Sequence, residues 1–168
     1  FSQPAGTVAA SLAAPWLIVT LLLALLGARH MLREVRDLDA QLALVAALML
    51  VAVGGGWTLI SRAGLRPANF SAEIVLLTGV HFHYAGFALP LLSGLAFRTM
   101  TRHHLVRLMI LLIIVGIPLV GVGIAGNPLL EVIAVGILAT GCAGLALVQT
   151  RSAMRCSLEP ARGLLLLS

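Results

Sequence analysis

Two histidines and a tyrosine stand close together in "LLTGVHFHYAGFALP", Leu76 to Pro90, inside one of the most apolar stretches of a very apolar chain. Imidazole ligates zinc, copper, iron and haem, and it changes charge in the physiological pH range, so it can hold a metal or pass a proton. Thr78 precedes the pair and Tyr84 follows it, while Glu73 and Glu131 are the carboxylates available to complete a site. The chemistry open to this set is a metal centre, a ligand-binding or proton-conducting cavity, or hydrogen bonding between helices.

Helix geometry divides the set. At 100° per residue His81 and His83 lie about 200° apart, so on a regular helix they cannot share one ion. Joint coordination needs local unwinding, for which Gly79, Gly86 and Pro90 supply the means. Thr78, His81 and Tyr84 share a face as a polar stripe, and His83 shares its own side with Gly79 and Phe87. A metal at His81 or His83 would need completion by Glu73, Glu131 or Tyr84. Haem lacks a second axial histidine, because His30, His103 and His104 belong to the other end of the molecule; Met49 is a weak substitute. Metal ion and haem are therefore secondary to a polar ligand or a proton. The carboxylates also have an ordinary reading: Glu73 follows Ser71, and Glu131 follows Asn127 and Pro128, as first-turn acids behind an N-cap.

The elements that must position these residues are membrane helices. Sixty per cent of the 168 residues are hydrophobic, a tenth are charged, and mean hydropathy is +1.08. Five apolar runs, at about 7–28, 40–60, 72–97, 105–125 and 129–150, each have the roughly 20 residues that cross a bilayer. The fold class is an all-α polytopic transmembrane bundle of five helices in one domain, residues 1–168. The tail 151–168 is either an interfacial segment or the start of a truncated sixth crossing. His81, eight residues beyond Glu73, is then about 12 Å below the helix start. An unpartnered polar ring at that depth costs several kcal/mol, so each imidazole requires protein or cargo to meet it.

All eleven basic residues are arginine. Nine of them (29, 33, 36, 98, 102, 107, 151, 155 and 162) fall on one side of the bundle, and only Arg62 and Arg66 on the other. The positive-inside rule puts the nine in the cytoplasm, the amino terminus outside and the tail inside. Arginines confined to loops do not make a nucleic-acid face. Arg33 and Asp37 are spaced i to i+4 on a solvated helical extension, and His103 and His104 sit among headgroup-level arginines. Cys142 lies mid-helix and Cys156 beyond that helix's end, roughly 20 Å along the axis, so the two cannot pair if the helix continues. Gly136, Thr140 and Gly144 repeat every fourth residue, a flat stripe for a membrane-protein partner or a second copy. Pro90, Gly116 and Pro118 should bend their helices, and Gly54, Gly55 and Gly56 should loosen the second helix before Trp57, a belt residue. No nucleophile set, phosphate loop or HExxH spacing occurs, so the reading is non-enzymatic.

"LLTGVHFHYAGFALPLLSG", Leu76 to Gly94, with the preceding "GGGWTLISRAGLRPANFSAEIV", resembles the YndJ-like family of bacterial integral membrane proteins. The resemblance implies a polytopic protein of the bacterial inner membrane, a signature formed by His81, His83, Tyr84 and Gly86, and a chain longer than this one, which starts at Phe1 and not Met. It implies an address more than an activity. The function expected is binding or conduction of a small polar ligand, proton or metal ion through a cavity lined by Thr78, His81, His83, Tyr84, Glu73 and Glu131. The alternatives are an accessory subunit of a larger membrane complex and, third, a haem- or metal-bearing redox subunit.

Overall fold

The computed structural model describes residues 5–33, 38–97 and 103–165. Helix α1 is Thr7–Arg33 and α2 is Leu38–Ala63; a short 3-10 turn, Pro67–Asn69, follows. The third crossing is α3, Ala72–His83, then one π turn, Tyr84–Ala88, then α4, Leu89–Phe97. Helices α5, His103–Gly126, and α6, Pro128–Leu165, complete the chain. No strand occurs among the described residues, and five helical stretches are long and apolar enough to cross a membrane. The Arg33–Asp37 spacing, Arg36, Arg98 and Arg102 lie outside the described residues, as do the side chains of His103, Cys156, Arg155 and Arg162.

The helices form an open row. α1 packs on α2, α2 on the third crossing, α4 on α5, and α5 on α6. Phe82, Val106, Ile110, Ile113 and Ile117 fill the buried centre, while Leu12 and Leu22 on α1 and Leu129 and Val132 on α6 stay exposed. Large apolar side chains on the outer surface are what a hydrocarbon solvent demands. Close approach along the row depends on glycine. A Cβ at Gly27 would stand 2.9 Å from Leu48 Cβ, and one at Gly141 would stand 2.9 Å from the Met109 carbonyl.

Local chemistry closes the ends. Gly64, at φ +75°, terminates α2: its N–H donates to Ser61 O at 3.1 Å and that of Leu65 to Ile60 O at 3.1 Å, the doubled bond of a glycine-ended helix. Gly6 N–H donates to Arg62 O at 2.9 Å, bringing the start of α1 to the end of α2. Ser71 Oγ accepts from Ile74 N–H at 3.4 Å, and Asn127 Oδ1 from Leu130 N–H at 3.1 Å, so both are N-caps.

Two expectations need correction. The three glycines of α2 do not loosen it, because α2 is helical through Ala63; Gly54 and Gly55 are contact points, Gly55 against the buried Thr20 of α1 and Gly54 against His83. Beyond residue 150, α6 runs on unbroken to Leu165, so that Pro128–Leu165 is one helix of about 57 Å at 1.5 Å per residue. The proposed stripe on α6 is divided: Gly144 packs on Met109 of α5, whereas Gly136 has nothing near it and Thr140 is exposed, its hydroxyl returned to Gly136 O at 2.7 Å. The surface that joins α6 to α5 is instead Gly116, Gly123, Gly141 and Gly144.

The π turn sits where Pro90 requires it. A regular α-helix would press the proline ring against the carbonyl four residues back, that of Gly86. Leu89 N–H instead donates to Tyr84 O, five residues back, and the extra residue widens the turn. The crossing changes partners there. α4, beyond the turn, packs against both α2 and α5, while α3, before it, packs on α2 and parts from α5.

Candidate functional site

His83 points from α3 across α2 toward α1. Trp16 Nε1–H donates to His83 Nε2 at 2.8 Å, with the rings 23° from parallel and centroids 5.6 Å apart. An indole N–H can only donate, so Nε2 carries the lone pair, Nδ1 carries the proton, and Nδ1–H donates to Gly79 O at 2.7 Å. Both nitrogens are used. The depths agree: Trp16 lies nine residues past Thr7 and His83 eleven past Ala72, about 14 and 17 Å from the same end of the bundle. Gly54 of α2 makes room between them, since a Cβ there would lie 2.8 Å from His83 Nδ1. Gly79 likewise lets α3 approach Thr58, whose hydroxyl donates to Gly54 O at 2.9 Å.

His81 looks the other way, toward α5. Its Nε2 meets Ile117 O at 3.4 Å, a long bond, and the ring lies edge-on to Phe82 at 5.4 Å. Here α3 and α5 part, and a groove of about 370 Å³ opens between them. Ile74, Leu77, Thr78, Val80 and His81 line one wall, Gly121 and Ile124 the other. Thr78 donates its hydroxyl to Ile74 O at 2.7 Å, keeping its oxygen lone pairs available.

The structure thus brings together two of the six residues expected in a common cavity. Thr78 and His81 line the groove. Tyr84 does not: it is 72% exposed, because it sits about 60° around the helix from His81, on the far side from Thr78. His83 is turned away from the groove and engaged by α1. Glu73 is exposed in the first turn of α3, beside its cap Ser71. Glu131 belongs to the first turn of α6, packed over Gly123 at the turn into that helix, and α6 leans on α5. Unwinding does not unite the histidines either, since the π turn begins after His83 and both remain on the regular α-helix. Among the described residues no three His, Cys, Asp or Glu side chains converge. Any metal at His83 would displace the Trp16 N–H, and Met49 is an exposed residue of α2.

Sequence reasoning missed Trp16, Gly54, Ile117 and Gly121. A signal for Trp16 existed: an indole N–H at mid-membrane depth needs an acceptor as much as a histidine needs a partner. The acceptor carbonyl of Ile117 and the place of Gly121 in the groove wall leave no such mark in sequence.

A family model described as YndJ-like protein matches residues 1–168. A protein of Bacillus subtilis (strain 168) named uncharacterized membrane protein YndJ is 40% identical over 91 residues, which are 54% of this chain and 17% of that protein. The chain thus spans a small part of the relative's length. No solved structure matches.

Proposed function

The chain belongs to the YndJ-like family, and from that premise we propose a non-enzymatic role: a multi-pass membrane protein that receives a small ligand, or passes a proton, at His81 in the groove between α3 and α5. The observation that supports this reading is the state of His81. Its ring lies deep in a crossing, beside a hydroxyl, in a groove large enough for a small molecule, and is tied to the protein by one 3.4 Å bond. Ligand pockets run from about 300 to 1,000 Å³, so the groove is at the small end of that range. Metal or haem cargo is a narrower version of the same proposal and rests on His81 alone.

Native mass spectrometry of protein released from lipid nanodiscs tests it. Wild type should carry a bound small molecule that Gly121→Leu, which fills the groove, removes. An adduct unaffected by filling the groove would move the site elsewhere and end this reading.

Orientation belongs to the same proposal. The arginine balance supports a bacterial cytoplasmic membrane with the Arg62 and Arg66 loop outside. Cysteines placed at 62 and 104 should then react with an impermeant maleimide on intact cells only at 62. A second reading, as accessory subunit of a larger assembly, is favoured by α6, which packs on α5 and leaves Gly136 with open space around it. A partner membrane protein or a second copy would settle there, and disulfide crosslinking from Gly136→Cys should capture it in native membranes.

A further inference from the structure

His81 narrows the chemistry of what the groove can take; the argument rests on the groove being the ligand site. A carbonyl only accepts, so the bond to Ile117 O makes Nε2 a protonated nitrogen, and in the neutral imidazole Nδ1 then holds the lone pair. Nδ1 has no partner among the described residues, and no buried side-chain nitrogen or oxygen there lacks one, so Nδ1 is not sealed inside the protein, and His81 is one of the residues that line the groove. Thr78 has spent its hydrogen on Ile74 O and likewise has only lone pairs left. The two polar side chains of the groove therefore both accept, and neither donates. Around them are Ile74, Leu77, Val80 and Ile124, with no ionisable side chain other than His81.

We propose that the groove binds a lipid-soluble alcohol or phenol, its hydroxyl donating to His81 Nδ1 and its hydrocarbon body lying against Ile74, Leu77, Val80 and Ile124. An ionised ligand fits poorly, because the wall offers no counter-charge and a charge in hydrocarbon is costly. A carbonyl or ether ligand fits poorly too, since it would set lone pair against lone pair. A donor satisfies Nδ1, which otherwise faces apolar surroundings.

The test uses the described chain in lipid nanodiscs with ring-15N histidine, probed with 1-decanol and with decyl methyl ether, which has the same chain and no donor. Decanol should shift the Nδ1 resonance of His81 to saturation, leave the resonances of His83 in place, and bind about fivefold to tenfold more tightly than the ether, the worth of one net hydrogen bond. His81→Gln, which keeps an acceptor, should retain part of that preference, and His81→Phe should abolish it. Equal binding of alcohol and ether, both lost in Gly121→Leu, would overturn the donor assignment while leaving the groove as a site. Failure of either probe to move His81, with Gly121→Leu indistinguishable from wild type, would overturn both.

Discussion

Gly54→Ala should weaken the molecule by detaching His83 from Trp16. The added Cβ would stand 2.8 Å from Nδ1, 3.0 Å from Cε1 of His83 and 3.2 Å from Phe82 Cβ, and the imidazole cannot retreat without stretching its 2.8 Å bond to the indole. Overpacking of this kind costs about 1–3 kcal/mol, and a side-chain hydrogen bond between membrane helices about 0.6, rarely beyond about 1.7. Better helix propensity returns nearly 1 kcal/mol, so the net loss should be about 0.6–3.7 kcal/mol. A single variant cannot separate crowding from the lost bond; a cycle with Trp16→Phe can. Trp16→Phe keeps the ring and removes the donor, so in the glycine background it should cost about the 0.6–1.7 kcal/mol of the bond, and in the alanine background almost nothing. Denaturant unfolding in bicelles followed by circular dichroism reads all four corners. Additivity within about 0.3 kcal/mol would mean that Gly54→Ala leaves the Trp16–His83 bond intact, and the account of the glycine would be wrong.

The glycines of the α5–α6 seam should behave oppositely to the outward one: Gly123→Ala, whose Cβ would run into the Glu131 backbone, should cost about 1–3 kcal/mol, while Gly136→Ala should be neutral or gain up to about 1, and equal thermal shifts would contradict the packing. Asn127→Ala removes the cap on Leu130 N–H and should cost about 1 kcal/mol in the same unfolding assay. Pro90→Ala restores an N–H four residues beyond Gly86 O, so the Tyr84–Ala88 turn should tighten toward α-helix, seen as slowed amide exchange there; unchanged exchange would show that the proline does not impose the turn.

Much of the architecture is legible because the bilayer imposes a length. Twenty apolar residues ended by Ser71, Gly64 or Asn127 are written plainly in the chain, and so is the demand that His81 and His83 find polar company. What periodicity cannot supply is which neighbour answers. Gly54 and Gly55 read alike as flexible residues, yet one admits an imidazole from α3 and the other a threonine from α1. Glu131 reads as near the histidines because both lie toward the same end of the bundle, but lateral position in a row of helices has no sequence period, and α6 is placed by its contact with α5. Gly136, Thr140 and Gly144 repeat faultlessly every fourth residue, and their face still divides between the protein and its surroundings.

The spacing of two residues between the histidines is what gives them different work. About 200° of rotation sends one ring over Gly54 to the indole of Trp16 and the other to the gap where α3 parts from α5. His83 has both nitrogens committed and binds α1 to the third crossing; His81 has one nitrogen lightly held and one open. The π turn just beyond them lets the same crossing lie tight on α5 below and stand away from it above, so the groove opens at the level of His81 and not at that of Phe97. A fixed imidazole and an available one within a single turn therefore have one physical origin: helix twist divides their directions, and the widened turn decides which direction leads to open space.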